Sequence, residues 1–295
     1  MRLLVTGKEG QLVRSLLERA PRAGVEVVAV GRPRLDMSEP STVAAALDGV
    51  EADAIVNAAA YTAVDKAESE EALATRINGE AAGEIAAYAR RLGLPFLHIS
   101  TDYVFDGEGP RPYREDDPTG PIGAYGRSKL AGELAVLERD PRATILRTAW
   151  VHSPFGANFV KTMLRLGETR AELSVVADQK GSPSYAPDLA DAILNIARQR
   201  VERRSENFGA GVYHMTGSGE ATWADLAEEV FAEAERLGRA PVRVRRITAE
   251  QYPTPAKRPS NSRLDNSRLN HVFGVTLPDW RVSARACVNR LLGAP

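Results

Sequence analysis

The stretch RLLVTGKEGQL, residues 2–12, is the part of this 295-residue chain that indicates its fold class most directly. A short apolar run ends at Thr6, a turn with Gly7 and Gly10 follows, and a helical pattern begins at Gln11. In a strand–turn–helix unit of this kind, glycines let the backbone approach a pyrophosphate, which the free N–H groups of the helix start then bind. Two glycines also occur in plain turns, so only their position and order predict a dinucleotide site.

The alternation of that first unit repeats through the first half of the chain. Four more runs rich in β-branched residues read as strands: VEVVAV (25–30), DAIVNAA (53–59), PFLHIS (95–100) and ATILRT (143–148). Helical patterns lie near residues 10–20, 40–48, 66–91 and 125–139. The strands are apolar on both faces, as in a parallel sheet that helices cover on both sides. We therefore predict an α/β fold with a doubly wound, Rossmann-like parallel sheet.

The pattern changes after Trp150 and predicts a smaller C-terminal lobe. We place a dinucleotide-binding Rossmann domain at 1–155 and a mainly substrate-binding lobe at 156–295. Two strands of the second half, at about 173–177 and 211–216, are expected to return to the main sheet.

Composition and charge limit the classes of partner. The net charge of -1 provides no electrostatic case for binding nucleic acid or an acidic membrane. One cysteine, Cys287, rules out internal disulfides and fits a reducing compartment. The apolar run at the start is too short for a signal peptide, and no stretch approaches the roughly 18 apolar residues of a spanning helix. We expect a cytoplasmic protein with neither nucleic-acid nor membrane partners.

The end of the second strand, VGRPR, bears on which dinucleotide binds. A site that prefers NAD usually has Asp or Glu there for the ribose hydroxyls, whereas this chain has Gly31 and Arg32. An arginine can pair with a 2′-phosphate, which favours NADPH and leaves NADH as an option. The alternative is a solvated arginine in a loop. The expected cofactor contacts are Gly7, Gly10, Gln11, Leu12, Gly31, Arg32, Asp36, Met37, Ala59, Ala60, Tyr61, Thr62, Tyr125 and Lys129.

The stretch YGRSK, residues 125–129, contains the candidate catalytic pair. Tyr125 and Lys129 are four residues apart and therefore lie on one face of a helix. A free tyrosine has a pKa of about 10, and a neighbouring ammonium should lower that pKa by favouring the phenolate. Such a tyrosine can donate a proton to a carbonyl oxygen while hydride reaches its carbon. The alternative is a surface tyrosine with an unrelated lysine.

A third candidate follows the fourth strand, in LHISTDYVFDG. Ligands meet the carboxyl ends of the strands in a doubly wound sheet, so Ser100, Thr101 and Asp102 should emerge beside the cofactor. The Thr101 hydroxyl could donate to a substrate carbonyl and stabilise the developing oxyanion. A simple turn-forming role is the alternative.

These residues resemble a known family, the dTDP-4-dehydrorhamnose reductases among the extended short-chain dehydrogenases/reductases. The motifs stand in the family's order over nearly the whole chain: GKEGQL, NAAAYTAVDKAES, STDYVFDG, GPIGAYGRSKLAGE, LRTAWVH, GANFVKTML and RPSNSRLDNSRL. The resemblance implies that NADPH reduces the 4-keto group of dTDP-4-dehydro-L-rhamnose, the last step of dTDP-rhamnose biosynthesis. It makes Tyr125 the proton donor, Lys129 its electrostatic partner and ribose ligand, and Thr101 the group that orients the keto oxygen. Asp102 and Trp150 would contact the sugar.

The substrate's two phosphates should require cations and hydrogen-bond donors. The basic stretches RVRR (243–246) and KRPSNSRLDNSR (257–268) contain candidates, of which Arg258 and Arg263 are the ones we select. A charge run is more often a solvated surface. Asn158 and Gln179 lie in motifs that resemble the family's substrate lobe.

No metal site is expected from the sequence. The four histidines are scattered and show no metal-ligand spacing. Some members of the family that the chain resembles dimerise around a magnesium ion held by glutamates, but the corresponding positions here are Ser15 and Pro187, which cannot act as carboxylate ligands. A homodimer would then need another interface.

Two other functions remain open. A nucleotide-sugar dehydratase or epimerase would have the same cofactor domain, but dehydratases commonly place an acidic residue directly after the Thr-Asp pair, where this chain has Tyr103. A non-catalytic, dinucleotide-binding regulatory subunit would tend to lose the tyrosine or the lysine, and this chain has both.

Overall fold

The computed structural model describes residues 1–204 and 207–293. Its strands are β1 (Arg2–Thr6), β2 (Glu26–Val30), β3 (Ala54–Asn57), β4 (Phe96–Thr101), β5 (Thr144–Thr148), β6 (Val151–His152), β7 (Glu172–Val176), β8 (Lys180–Gly181), β9 (Ser184–Tyr185), β10 (Gly211–His214), β11 (Ala221–Thr222) and β12 (Arg243–Ile247). Its α-helices are α1 (Gln11–Arg19), α2 (Val43–Leu47), α3 (Val64–Ala67), α4 (Glu71–Thr75), α5 (Ala81–Arg91), α6 (Ala124–Arg139), α7 (Phe159–Gly167), α8 (Ala186–Glu202), α9 (Trp223–Arg236), α10 (Ser267–Phe273) and α11 (Trp280–Leu291).

The main sheet has six strands in the spatial order β10–β5–β4–β3–β1–β2. All neighbouring pairs are parallel, which confirms the predicted doubly wound sheet. From β1 the chain continues to β2 on one side and to β3 on the other, so the winding direction reverses between β1 and β3. In open sheets of this kind, ligands bind in the crevice at the carboxyl ends of the strands at such a reversal.

Alternate residues of each strand enter two different cores. Leu3 and Val5 of β1 pack with Leu16 of α1 on one face of the sheet, whereas Leu4 packs with Ile85 of α5 on the other. Successive strand side chains point to opposite faces, so a strand covered on both sides must be apolar at every position. This is why the main-sheet strands read as continuous apolar runs.

The second lobe has its own core and its own small sheets. β7 pairs in parallel with β12, outside the main sheet, so the expectation that residues 173–177 return to that sheet is wrong. The reason is visible in β7, where buried Leu173 and Val175 alternate with exposed Glu172 and Ser174. Such alternation fits a strand covered on one face only. β10 does lie in the main sheet, beside β5. The boundary between 155 and 156 stays a prediction.

The long helical pattern at 66–91 is divided into α3, α4, a π-helical turn (Arg76–Glu80) and α5. The π-helical turn and α5 pack closely on α6 through small residues. A Cβ added at Gly79 would meet the Ala131 Cβ at 3.4 Å, and one at Gly83 would meet the Ala135 Cβ at 3.1 Å. The close approach holds α6 beside the carboxyl end of β4. None of the helices in residues 1–204 and 207–293 is long and apolar enough to cross a membrane.

Candidate active site

The glycine turn after β1 is shaped for a backbone that approaches a ligand. Gly7 has a φ of +97°, and its N–H donates to the Val30 carbonyl at 2.8 Å. A Cβ added at Gly31 would lie 3.2 Å from the Gly7 carbonyl carbon, so the end of β2 closes on the turn. α1 begins after Gly10, and no side chain caps its first N–H groups, while Leu12 packs against the core. Uncapped donors at a helix start fit a pyrophosphate.

Charged side chains gather at the end of β2. Arg32 donates from Nη2 to Asp36 Oδ1 at 3.1 Å, and the Lys8 Nζ donates to the Arg32 carbonyl at 3.2 Å. Hydrogen bonds from Ser38, with Arg32 adding to them, lower the pKa of Asp36 to about 2. Met37 is buried in the core rather than exposed at this corner. The corner therefore offers two cations and one firmly ionised carboxylate.

The segment after β3 borders the same crevice. The Ala59 N–H donates to Thr6 Oγ1 at 3.2 Å, which ties β3 to β1 at the reversal point. Tyr61 exchanges two hydrogen bonds with Asn78, from its N–H to Oδ1 at 2.8 Å and from Nδ2 to its carbonyl at 3.1 Å. The remaining predicted contacts of this segment are Ala60 and Thr62. The backbone of this segment is therefore anchored at the edge of the crevice.

Helix α6 presents the tyrosine and the lysine to the end of β4. Glu68 accepts the first N–H of the helix at 2.9 Å, a favourable place for a carboxylate. Tyr125 and Lys129 follow at helical spacing, as predicted. Between them, a Cβ added at Gly126 would lie 2.2 Å from the Tyr103 carbonyl oxygen. Glycine thus lets the first turn of α6 pack directly on the short helical turn after β4.

Lys129 is buried under β4. It is 2% exposed, and its Nζ donates to the Ile99 carbonyl at 2.7 Å. Burial lowers its pKa to about 8, and Glu133, one turn further along, acts in the opposite direction. The side chain is therefore mainly protonated at pH 7 and keeps the positive charge that the sequence analysis assigned to it.

Tyr125 is a neutral phenol in this site. Burial raises its pKa, the Asp102 carboxylate raises it further, and a hydrogen bond with Thr101 opposes both. The sequence predicted a lowered pKa from the neighbouring lysine, and that prediction is wrong for the protein by itself. The reason is that Lys129 turns toward β4 while Asp102 approaches the phenol. A protonated tyrosine is the state that a proton donor needs.

Asp102 is the most perturbed carboxyl group of the site. It is 2% exposed, and its Oδ2 has no hydrogen-bond partner among the described residues. Its Oδ1 accepts the Thr101 hydroxyl at 2.9 Å. Burial raises its pKa to about 7, although hydrogen bonds with Thr101 and Ser262 oppose the shift. A buried, partly unpartnered carboxyl at the crevice is typical of a functional site.

Asp102→Asn is expected to stabilise the fold at neutral and alkaline pH. Between an ordinary pKa of 3.8 and about 7, the folded chain keeps a proton that the unfolded chain loses. Stability therefore falls as the pH rises through that window, and asparagine removes the effect. We expect the free energy of unfolding to rise by about 1–3 kcal/mol more at pH 8 than at pH 5. Urea unfolding of both proteins measures this, with exposed Asp116→Asn as control. An equal gain at both pH values would contradict it.

Trp150 is fixed by its surroundings. Its ring stacks on Trp223 with centroids 3.5 Å apart, and its Nε1 donates to Ser262 Oγ at 3.2 Å. Its φ of 47° is unusual for a side chain of this size. A Cβ added at Gly181 would lie 2.3 Å from the indole, so glycine makes room for it. Because Ser262 also acts on the pKa of Asp102, Trp150 lies close to the catalytic edge of the sheet.

Asn158, a predicted substrate contact, joins the glycine turn to the second lobe. Its Oδ1 accepts the Lys161 N–H at 3.1 Å and caps α7. Its Nδ2 donates to Gln11 Oε1 at 2.9 Å, and Gln11 also accepts from Ser153 at 2.8 Å. Gln11, a predicted cofactor contact, is thus held by Asn158 of the second lobe and by Ser153 just before it. Contact of Asn158 with substrate stays a prediction.

The basic residues of the second lobe are placed differently from one another. Arg258 donates to Asp65 Oδ2 at 3.3 Å, while its buried Nε has no partner among residues that the structure describes. Arg263 donates from its three nitrogens to Asn261, Glu220 and Pro110, which makes it a structural residue as well as a candidate ligand. Gln179 is 9% exposed between β7 and β8.

The stretch RVRR does not provide free cations at the crevice. It forms β12, and Arg246 pairs with Asp225 and Glu228 of α9 at 2.7 and 3.0 Å. Arg243 and Arg245 of the same strand are exposed on the lobe surface, whereas Val244 packs against the lobe core. The contacts of residues 243–246 therefore do not support a role for this stretch in binding the substrate's phosphates.

Metal-ligating side chains do not converge in the described part of the chain. No group of three or more His, Cys, Asp or Glu residues is placed to hold an ion there. Ser15 is buried in α1 and donates to the Gln11 carbonyl at 2.8 Å, and Pro187 lies buried in the first turn of α8. Neither position offers a carboxylate.

The geometry can be compared with known proteins. A family model described as RmlD substrate binding domain matches residues 1–292. The dTDP-4-dehydrorhamnose reductase of Sinorhizobium fredii is 49% identical over 292 residues, which cover 99% of this chain and 98% of that relative. This chain belongs to the dTDP-4-dehydrorhamnose reductase family. The resemblance stated from the motifs is confirmed.

Two further relatives show the range of this reductase family. A Streptomyces antibioticus protein named a probable dTDP-4,6-dihydroxy-2-methyloxan-3-one 4-ketoreductase is 43% identical over 297 residues, covering 100% of this chain and 97% of that relative. The crystal structure of dTDP-4-dehydrorhamnose reductase from Bacillus anthracis in complex with NADP has a TM-score of 0.88 at 34% identity. The match covers 98% of this chain and 99% of that one. Both are named reductases, not dehydratases or epimerases.

Several residues at the reductase-type site were missed by sequence reasoning. Lys8 and Ser262 gave no signal, because their neighbours at the site come from distant parts of the chain. Glu133 and Arg147 form a buried ion pair behind the lysine. Here a signal existed, because Glu133 follows Lys129 by four residues in KLAGE and must share its helix face.

Proposed function

We propose that this protein is an NADPH-dependent oxidoreductase that reduces the 4-keto group of dTDP-4-dehydro-L-rhamnose to dTDP-L-rhamnose. The observation that carries the proposal is the arrangement of Thr101, Tyr125 and Lys129 at the carboxyl end of β4, on the same edge of the main sheet as the glycine turn. Membership of the reductase family over almost the full chain supports it.

The cofactor would lie across the reversal point of the sheet. The uncapped start of α1 and the close approach of Gly7 and Gly31 suit its pyrophosphate. Arg32 and Lys8 suit the 2′-phosphate, and the segment after β3 suits the rest of the dinucleotide. When bound, NADPH supplies the hydride.

The chain's own residues would donate the proton and stabilise the developing charge. Tyr125, a neutral phenol, donates its proton to the keto oxygen. Thr101 orients that oxygen through its hydroxyl, and the Lys129 ammonium stabilises the phenolate that remains. Asp102 and Trp150 would contact the sugar, and the unpartnered Nε of Arg258 leaves a donor for the diphosphate.

The test is a spectrophotometric assay with purified protein. Adding dTDP-4-dehydro-L-rhamnose should consume one NADPH for each ketone reduced. Because a relative is named a 4-ketoreductase of a different dTDP-linked sugar, the panel should include that type of keto sugar. Turnover only on another keto sugar of the panel would change the proposed substrate but leave the proposed reaction, the reduction of a ketone by NADPH, in place. NADPH binding without turnover on any member, together with a co-purifying enzyme, would instead favour the regulatory subunit.

Cofactor preference can be tested at the end of β2. Arg32→Ser should weaken NADPH binding about 10-fold and leave NADH binding nearly unchanged, because it removes a charge-assisted bond to the 2′-phosphate. Fluorescence titration of each dinucleotide measures both affinities. Arg34→Ser is the matched control, because Arg34 donates to the carbonyls of Ala46 and Asp48 at 2.7 and 2.9 Å. Equal losses for both dinucleotides would contradict the assignment.

A further inference from the structure

A buried ion pair lies directly behind the candidate catalytic residues. Arg147 of β5 donates to Glu133 of α6 through Nε at 2.9 Å and Nη2 at 2.7 Å. The two side chains are 4% and 3% exposed. Ser100 of β4 donates to the same carboxylate at 2.5 Å. A buried ion pair is weak grounds for stability, because the cost of removing both charges from water offsets their attraction.

The position of the pair indicates another role. Glu133 lies one helical turn from Lys129, on the same face of α6. Ser100 lies in β4 between Ile99, whose carbonyl accepts the lysine Nζ, and Thr101, the candidate substrate-orienting residue. One short stretch of β4 therefore binds the lysine, binds the carboxylate and carries a catalytic candidate.

We propose that Glu133, held in place by Arg147 and Ser100, is a positioning residue that keeps Lys129 charged inside the buried site. This inference rests on the proposed function, because it concerns the lysine assigned to that reaction. The physical reason is that burial disfavours an ammonium ion, and a fixed carboxylate one turn away opposes that effect. The pKa of Lys129, about 8, reflects burial acting first and Glu133 against it.

Other ionisable groups around Lys129 do not supply this charge. Tyr125 on the same helix is neutral, and burial keeps His98 of β4 neutral by lowering its pKa well below the ordinary value. Asp102, after β4, has a pKa of about 7 and acts on Tyr125. The charged side chains on the other segments packed against α6 reach the surface: Asp65, Lys66, Glu68, Glu71, Arg76, Glu80, Glu84, Arg90 and Arg91.

The titration of Lys129 can be measured without substrate or cofactor. The chain has six lysines, so ¹³C-labelled lysine gives a resolvable set of ε-carbon resonances, with Lys129→Arg to assign the one of interest. In Glu133→Gln we expect the pKa of Lys129 to fall by about one unit. Because less of the variant's Lys129 is then protonated at pH 8, its affinity for NADPH should be about 5-fold below that of wild type at pH 8 and nearly equal to it at pH 6. An unchanged Lys129 titration in the folded variant would overturn the proposal.

The chain offers a matched control for this experiment. Glu233 of α9 is 6% exposed and accepts Arg236 through Nε at 2.9 Å and Nη2 at 2.7 Å. Glu233→Gln therefore breaks an ion pair of the same two-bond geometry away from the site, with the difference that Arg236 is 62% exposed. It should lower stability and leave the Lys129 titration unchanged, and an equal shift in this control would show that the effect is not specific to Glu133.

A second variant covers the case in which Glu133→Gln does not fold. That change leaves Arg147 as an unpaired buried charge, which is strongly destabilising. Glu133→Gln combined with Arg147→Met removes both charges, and the pKa of Lys129 should again fall. The proposal is overturned if the pKa of Lys129 does not fall in the double variant. It is also overturned if Lys129 of the wild type is already deprotonated at pH 7. Because neither measurement needs the keto sugar, a failed substrate assay leaves these results interpretable.

Discussion

The Tyr125→Phe variant is expected to keep the fold and the NADPH affinity of the wild type while kcat falls by about 10²–10⁴-fold. The phenol is the proton donor in the proposed reaction, and the change removes only its hydroxyl. That hydroxyl interacts with Thr101 and lies near Asp102. The ring itself packs edge-on against Tyr103, with centroids 5.5 Å apart, and phenylalanine can keep that contact.

Steady-state kinetics and a separate NADPH titration distinguish this result from general damage. Tyr88→Phe is the matched control, because Tyr88 is also buried and donates its hydroxyl to the Leu47 carbonyl at 3.0 Å, away from the crevice. It should lose about 1 kcal/mol of stability and keep its kcat within about twofold. Unchanged kcat in Tyr125→Phe would remove the tyrosine from the mechanism.

Gly126→Ala should cause the second large loss, through displacement rather than chemistry. The added Cβ would lie 2.2 Å from the Tyr103 carbonyl oxygen and 2.9 Å from the Pro121 Cβ. Since backbone cannot give way there, the first turn of α6 must move and carry Tyr125 with it. We expect kcat/KM to fall about 100-fold, because a shift of about 1 Å is enough for such a loss. The free energy of unfolding should fall by about 1–3 kcal/mol.

Gly79→Ala is the matched control for the glycine prediction. It also adds a methyl group to a helical glycine in the contact between α6 and its neighbours, but its Cβ would come no closer than 3.4 Å to the Ala131 Cβ and 3.6 Å to the Thr75 Cγ2. Alanine is the better helix former, so this variant should be neutral or gain up to about 1 kcal/mol. Kinetics at a temperature where all variants are folded, with urea unfolding beside them, measures both effects. Full activity in Gly126→Ala would show that the helix start tolerates movement.

The fold followed from local patterns in the sequence. The five strands of the first half were predicted because a strand covered on both faces must be apolar at every position. Glycine turns and helical spacing depend on the residues themselves, so the cofactor crevice and the shared face of Tyr125 and Lys129 could be inferred directly. The strand at 173–177 was misassigned because an apolar run does not state which partner it pairs with.

The electrostatics and the contacts of the site depended on the tertiary structure. The sequence predicted a Tyr125 pKa lowered by Lys129, but burial and the approach of Asp102 raise it. Arg263 and Asn158 stay candidate ligands, and only the structure shows that they also bind Glu220 and Gln11, which are far away in the chain. A pKa depends on how much water is removed from a group and on which charges approach it, and these are set by distant segments packing together. Sequence alone thus determined which chemical groups the crevice contains, and folding decided their protonation and their partners.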